Sequence, residues 1–82
     1  MNSVELKQKT KSVVLNVLKN VDIEELSDSS NLFSLGLDSI NAITLVLKLQ
    51  DAFNIKFESH DINSENFQSV ATIVKLIDEK QG

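Results

Sequence analysis

The strongest helix signal in the chain lies at residues 39–53, SINAITLVLKLQDAF. No glycine or proline interrupts this stretch, Asp38 precedes it as a candidate N-cap, and Gly36 allows a sharp turn just upstream. At about 100° per residue, one broad face of this helix collects the apolar side chains expected to enter the core. Those side chains are Ala42, Leu45, Val46, Leu49, Ala52 and Phe53.

Three further apolar residues of the same helix, Ile40, Ile43 and Leu47, lie outside this core stripe. Ser39, Ile43 and Leu47 follow one another at steps of four, so they stack along one edge of the helix. One interpretation makes this second apolar arc a surface for a partner. The alternative is that it packs beneath a loop and a short helix, and partial burial of Ile40 is an intermediate outcome.

Two other helices are predicted on either side. Residues 3–19 repeat apolar side chains at steps of three and four, and Asn2 with Glu5 predicts a capping box at their start. Ser69 is predicted to cap the last helix, which runs to about Lys80. The expected core residues are Leu6, Thr10, Val13, Val14, Val17 and Leu18 in the first helix, and Val70, Ile73, Val74 and Ile77 in the last.

The connections complete an all-α prediction. Residues 21–38 are polar but carry Ile23, Leu26, Leu32, Phe33, Leu35 and Leu37, so this long loop is expected to lie pinned across the helices. Residues 55–58 alternate like a strand, but without a second strand they predict an extended connection. A short helix around residues 62–66 and an anchoring Phe67 follow. We therefore predict an all-α four-helix bundle, with three longer helices, one short helix and a long loop between helices one and two, as a single domain over residues 1–82.

Composition excludes several classes of function. The net charge is −4 and the chain has lysines but no arginine, which argues against a nucleic-acid partner. No apolar run approaches the ~20 residues of a membrane span and no secretory signal is recognisable, so we expect a cytoplasmic protein with no membrane association. We expect two solvated charged surfaces: a helix face with Lys7, Lys9, Lys11 and Lys19, and an acidic loop with Asp22, Glu24, Glu25 and Asp28.

The residues do not predict an enzyme. Ser39 follows an acid at a helix start, but the positions where a nucleophile elbow needs glycine hold Leu37 and Asn41. His60 is the only histidine and is expected to be a solvated loop residue, and so small a bundle leaves little room for a catalytic cleft. We therefore predict no catalytic residues and no metal site. Free N–H groups at the helix start favour a phosphate at Ser39; the alternative is that Asp38 and Ser39 only cap the helix.

Residues 32–40, LFSLGLDSI, resemble the attachment motif of the acyl carrier protein family. The resemblance extends to residues 53–57 and 66–70, and so covers essentially the whole chain. It implies that the predicted four-helix bundle has an acyl-carrier-protein-like fold. It implies that Ser39 carries 4′-phosphopantetheine through a phosphodiester, and that Asp38 assists the metal-dependent transfer of this group from coenzyme A. Ile40 stands where leucine is more frequent in the family.

The resemblance also implies a function without catalysis. The arm's thiol would hold acyl or aminoacyl groups as thioesters, and a monomeric carrier would serve a phosphopantetheinyl transferase, an acyl- or aminoacyl-loading enzyme, and downstream synthase or tailoring enzymes. Docking is expected at Ile40, Ile43, Thr44 and Leu47. Fatty acid carriers usually have acids on this helix, where Asn41 and Thr44 stand here, which favours a specialised polyketide or nonribosomal peptide pathway. The alternatives are a housekeeping carrier of fatty acid synthesis and a helical interaction module without covalent cargo.

Overall fold

The structure, a computed structural model, describes residues 2–82. It contains the helices α1 (Ser3–Val17), α2 (Ser39–Phe53) and α3 (Val70–Gln81). Two short 3-10 turns, Ile23–Glu25 and Ser59–Asp61, lie in the connections. Helix α1 packs against both α2 and α3, and the described residues contain no strand. The predicted all-α class is confirmed. Within residues 2–82, none of the helices has the length and apolarity needed to cross a membrane.

The predicted caps form, with one difference at α1. The Asn2 side chain accepts a hydrogen bond from the Glu5 N–H at 2.9 Å, but the Glu5 carboxylate accepts from the Asn2 side-chain amide. The reciprocal bond to the backbone that a capping box requires is therefore missing. At α3, the Ser69 hydroxyl accepts from the Thr72 N–H at 3.3 Å, as predicted. Helix α1 ends at Val17, two residues earlier than predicted.

The core follows the predicted stripes closely. In α2, Leu45 and Leu49 are fully enclosed, and Thr10 of α1 is buried with its hydroxyl donating to the Leu6 carbonyl at 2.7 Å. This bond satisfies a polar group that would otherwise be costly to bury. Leu76 of α3 is buried although it was not predicted. Several predicted core residues are only partly buried: Val13, Val17, Ala42, Ala52 and Val74.

The long loop is pinned to the helices, as expected. The Leu32 N–H donates to the Gln68 carbonyl at 2.7 Å, and the Ala71 N–H donates to the Asp28 carbonyl at 2.9 Å. These bonds join the loop to the start of α3. Three of its apolar side chains are buried, namely Leu26, Leu32 and Leu37, whereas Ile23 and Phe33 stay exposed.

Some residues of the two charged surfaces that were predicted to be solvated form a contact between α1 and the long loop. The Asp28 carboxylate lies 2.9 Å from the Lys7 ammonium and 3.0 Å from that of Lys11. Hydrogen bonds from these lysines lower the pKa of Asp28 below its ordinary value. The Lys9 ammonium lies over the Phe53 ring, 5.1 Å from its centre. Lys7, Lys11 and Asp28 keep 45%, 24% and 41% of their side-chain exposure, so they remain partly solvated, but the loop that folds back over α1 joins them in ion pairs that the sequence did not predict.

The segment after α2, residues 55–67, lies opposite that helix. Residues 55–58 form a connection that is neither helix nor strand, with an extended backbone at Glu58, and the Gln50 side chain accepts from the Phe57 N–H at 2.9 Å. The rings of Phe57 and Phe67 are buried and meet edge to face, with their centres 5.6 Å apart. Phe67 is thus the anchor that the sequence predicted.

A short helix was predicted around residues 62–66. The structure instead has a single turn at residues 64–67. The Phe67 N–H donates to the Asn63 carbonyl at 3.2 Å, which closes one helical turn. Side chains satisfy the neighbouring backbone groups: the Asn63 side chain accepts a hydrogen bond from the Asn66 N–H, and the Asn66 side chain donates one to the Asp61 carbonyl. Such local bonds compete with helix propagation and leave the segment as a turn.

An ion pair connects the segment after α2 to the end of α3. The Asp61 side chain is only 9% exposed and contacts the Lys80 ammonium, while its carboxylate also accepts from the Glu58 N–H at 2.8 Å. The hydrogen bond from Lys80 is the main cause that lowers the pKa of Asp61 below its ordinary 3.8. The same bond raises the pKa of Lys80.

We expect Lys80→Met to remove a pH-dependent part of the stability. Asp61 has a depressed pKa in the folded state, so its pair stabilises the fold above the ordinary carboxyl pKa of 3.8 and is lost as the pH falls through the lower folded value. Urea unfolding near pH 7 should therefore show a lower midpoint for the variant, and the difference should shrink at about pH 3. Lys75→Met is the control, because Lys75 makes no ion pair within residues 2–82. An equal difference at both pH values would contradict this role.

Candidate functional site

Ser39 is the first residue of α2 and is exposed to solvent. The chain reaches it through Gly36, whose φ of 115° is a conformation that other residues rarely adopt. Asp38 is the N-cap, with one carboxylate oxygen accepting from the N–H groups of Ile40 and Asn41 at 2.9 Å each. Within residues 2–82 the Ser39 hydroxyl takes part in no hydrogen bond. A hydroxyl presented in this way is accessible to an enzyme that modifies it.

The expected free N–H groups at this helix start are largely occupied, which corrects the sequence-based reasoning. Because the Asp38 carboxylate takes two of them, only the Ser39 N–H lacks an acceptor within the described chain. The helix dipole still favours negative charge here, but a phosphate would not find several open donors. The start of α2 therefore presents an exposed hydroxyl rather than a prepared anion site.

The Asn41 side chain makes two hydrogen bonds to the backbone of the turn before Ser39, and we call this pair of bonds the Asn41 bracket. Its side-chain oxygen accepts from the Asp38 N–H at 2.7 Å, and its amide nitrogen donates to the Gly36 carbonyl at 3.0 Å. One amide therefore connects both ends of the turn. A carboxylate at position 41 would have no N–H and could not donate to the Gly36 carbonyl.

We expect Asn41→Ala to lower the free energy of unfolding by about 1 kcal/mol, because both bonds of the bracket are lost. Thr44→Ala is the control, since Thr44 is exposed one turn further along α2 and its side chain makes no hydrogen bond within residues 2–82. Urea unfolding of both variants measures the difference. Equal stability of the two variants would show that the bracket does not hold the turn.

A cleft of about 650 Å³ opens beside Ser39, although so small a bundle was expected to leave little room for one. Helix α2 forms one wall and the segment after it forms the other. Asp38 is the only ionisable residue among its lining residues, so the cleft holds no acid–base pair. The lining consists of Phe33, Asp38, Ser39, Ala42, Ile43, Val46, Leu47, Gln50, Ile62, Asn63, Ser64 and Phe67.

The second apolar arc of α2 faces solvent. Ile40 is 79% exposed, Ile43 64% and Leu47 58%, and Thr44 between them is also exposed. We call these four residues the outer face of α2. The interpretation that the arc packs beneath the loop and the short helix is therefore wrong, and so is partial burial of Ile40. An exposed apolar cluster beside a reactive position is typical of an interaction site.

One group of side chains was missed by the sequence analysis. Glu58, His60 and Asp61 each place a possible metal-ligand atom within 4.8 Å of the others. His60 is exposed, as expected of a loop residue, but its Nε2 lies 3.5 Å from the Asp61 carboxylate. The Lys80 ammonium contacts Asp61 and lies 3.9 Å from Glu58, so a cation of the chain itself already faces these carboxylates. Their adjacency depends on the turn at residues 59–61, which was not predicted.

Comparison with known proteins relates the whole chain to carriers. The family described as "Phosphopantetheine attachment site" matches residues 8–77. An acyl carrier protein of Prochlorococcus marinus (strain MIT 9515) is 37% identical over 82 residues, which is the full length of both chains. An acyl carrier protein of Akkermansia muciniphila is 32% identical over 81 residues, covering 99% of this chain and 96% of that protein.

A solved structure has the same fold. It is a crystal structure of an engineered Bradyrhizobium japonicum glycine:[carrier protein] ligase complexed with a carrier protein from Agrobacterium tumefaciens and ATP. The matching chain superposes with a TM-score of 0.71 at 21% identity, covering 85% of this chain and 97% of that one. At this identity the likeness concerns the fold, and it agrees with the predicted carrier-like helical bundle.

Proposed function

The chain belongs to the acyl carrier protein family, whose covalent cofactor is 4′-phosphopantetheine, and on that premise we propose that Ser39 is the residue that bears the group. The supporting observation is the exposed hydroxyl of Ser39 at the start of α2, which lines the cleft together with Ile43 and Leu47 of the outer face. When attached, the group supplies a thiol that carries cargo as a thioester. The chain itself holds and presents the cargo, and it is a carrier rather than a catalyst.

The two carboxylate oxygens of Asp38 would have different roles. One oxygen holds the N–H groups of Ile40 and Asn41 and so fixes the helix start on which Ser39 stands. The other oxygen makes no hydrogen bond within residues 2–82, and so it is free to assist the metal-dependent transfer of the arm from coenzyme A. The outer face of α2 would receive the transferase, the loading enzyme and the downstream synthase or tailoring enzymes.

We propose a specialised pathway of the polyketide or nonribosomal peptide kind. The supporting observation is the charge of α2, which carries only Lys48 and Asp51 and is therefore neutral overall. Charges at an interface mainly set the encounter rate and the choice of partner, so a neutral helix suits enzymes other than those that select acidic carriers.

A carrier of fatty acid synthesis is the second candidate, and two observations favour it. The relatives from Prochlorococcus marinus and Akkermansia muciniphila are both acyl carrier proteins. The cleft beside Ser39 is lined mainly by apolar side chains, among them Val46 and Phe67, and these would suit an acyl chain better than a charged amino acid.

Loading assays on the holo-protein distinguish the two candidates. A fatty acid malonyl transferase with malonyl-coenzyme A is compared with adenylating enzymes encoded near the carrier's gene, each with a panel of amino and carboxylic acids. The specialised pathway predicts efficient loading by an adenylating enzyme and poor malonyl loading, read by intact mass. Efficient malonyl loading, followed by support of fatty acid elongation, would assign the carrier to fatty acid synthesis instead.

A further inference from the structure

Gln50 lies at the end of the cleft that is farthest from Ser39 along α2. The cleft is lined by this helix from Asp38 to Gln50, and Gln50 follows Ser39 by eleven residues. At about 1.5 Å and about 100° per residue, Gln50 is about 16 Å from Ser39 along the helix axis and on the same side of the helix. A chain that lies along the cleft from the Ser39 end therefore reaches Gln50 at the other end.

The Gln50 side chain crosses from α2 to the segment after it. Its oxygen accepts from the Phe57 N–H at 2.9 Å, and the Gln50 carbonyl accepts from the Ile55 N–H at 3.1 Å. Because only the oxygen of the amide can accept from the Phe57 N–H, this bond fixes which way the amide points. Gln50 thus joins the two walls at the end of the cleft.

The amide nitrogen of Gln50 keeps both of its hydrogen-bond donors unused. Within residues 2–82 it donates to no acceptor, and it is not sealed from solvent although the residue is partly buried. Asn63 and Ser64 on the opposite wall are exposed, so water satisfies their polar groups. The Gln50 NH2 group therefore forms a polar end to a stretch of cleft that Val46 and Phe67 make apolar.

An alkyl chain and an oxygenated chain would meet this NH2 group differently. A hydrocarbon that covered the group would remove its water and return no hydrogen bond, which disfavours the bound state. A carbonyl or hydroxyl oxygen at the same point would accept from the group, and this bond would offset the water that both lose. A site with a fixed donor therefore discriminates against a chain without an acceptor more strongly than an apolar site discriminates by size.

We propose that Gln50 selects the cargo, and that the cleft takes acyl chains with an oxygen acceptor at the end remote from the thioester. The proposal rests on the proposed function, because the chain must be held by an arm on Ser39. It adds to that function the chemical class of the cargo and the residue that recognises it.

The test loads the carrier with matched pairs of chains. A broad-specificity phosphopantetheinyl transferase attaches arm and chain together from hexanoyl-, octanoyl- or decanoyl-coenzyme A, or from the analogue of each with a ketone next to its terminal methyl group. Intact mass then follows cleavage of the thioester by hydroxylamine, which is slower when the chain lies in the cleft. At the length that reaches Gln50, the ketone chain should be cleaved about fivefold more slowly than its alkyl partner. Equal cleavage at every length would overturn the proposal.

Gln50→Glu separates the donor from the structural bond. Glutamate keeps an oxygen for the Phe57 N–H but has no N–H in its side chain, so the domain should stay folded and the ketone chain should lose its advantage. Gln8→Glu makes the same change at an exposed position of α1 and should leave the difference intact. An advantage of the ketone chain that persists in Gln50→Glu would mean that another group recognises the cargo, against the proposal.

NMR of the wild-type protein gives a second measurement. The side-chain NH2 signals of Gln50, identified by their absence in Gln50→Glu, should shift more with the ketone chain than with the alkyl chain. They should not move when the arm is attached without cargo. An equal shift with the bare arm would show that the donor binds the arm itself, which overturns selection of cargo.

Failure of this inference and failure of the proposed function are distinguishable. If the arm and chain are attached but hydroxylamine cleaves every chain as fast as it cleaves a free thioester, the cleft holds no cargo, and only this inference fails. If the transferase leaves the wild-type chain unmodified, the proposed function fails and the inference fails with it.

Discussion

Ser39→Ala is expected to abolish attachment of phosphopantetheine and leave the fold intact. The serine is exposed, its hydroxyl makes no hydrogen bond within residues 2–82, and the cap of α2 is supplied by Asp38. Alanine also has the highest helix propensity, so the start of α2 should not weaken. The loss of attachment should be complete, because the phosphodiester needs the hydroxyl oxygen.

Intact-mass measurement gives the result directly. Apo-protein, coenzyme A, magnesium and a broad-specificity phosphopantetheinyl transferase are incubated, and the wild-type chain should gain one phosphopantetheinyl group. Ser34→Ala is the matched control, since Ser34 is an exposed serine in the preceding loop and its loss should not affect the gain. An unmodified wild-type chain would favour the non-covalent interaction module. Modification of Ser39→Ala would move the attachment to another residue.

The helices and their caps were predictable because they depend on local chemistry. The stripe through Leu45 and Leu49 predicted the buried face of α2, and the side chains of Asp38 and Ser69 mark helix starts. The exposure of Ile40 was not decided by periodicity. Whether a second apolar arc is covered depends on where the neighbouring segment runs, and that is a tertiary property.

The contacts between distant segments were not predictable from the sequence. Asp28 pairs with Lys7 and Lys11 only because the long loop folds back over α1. The turn at residues 64–67 does not extend into a helix because the side-chain amides of Asn63 and Asn66 bond to the backbone. Asparagine also occurs within helices, so its presence alone did not predict these bonds. The cleft depends on the gap between α2 and this turn, so no single segment of sequence predicts its volume.

Leu49→Ala and Leu47→Ala are expected to differ strongly in stability although they make the same chemical change in one helix. Leu49 is fully buried, so removing its side chain leaves a cavity and should lower the free energy of unfolding by about 2–5 kcal/mol. Leu47 is 58% exposed and should cost less than about 1 kcal/mol. The two positions lie mid-helix and share the same change in helix propensity, so the difference reports burial.

Urea unfolding of both variants measures this difference, and it also tests the assignment of the outer face of α2. If Leu47→Ala is as unstable as Leu49→Ala, Leu47 packs in the core and is not available to a partner. Ile43→Asp extends the test, because a carboxylate at a 64% exposed position is solvated and should leave the domain folded. Unfolding by Ile43→Asp would place the arc inside the protein. A folded Ile43→Asp with slower modification at Ser39 would instead mean that this apolar face contacts the transferase.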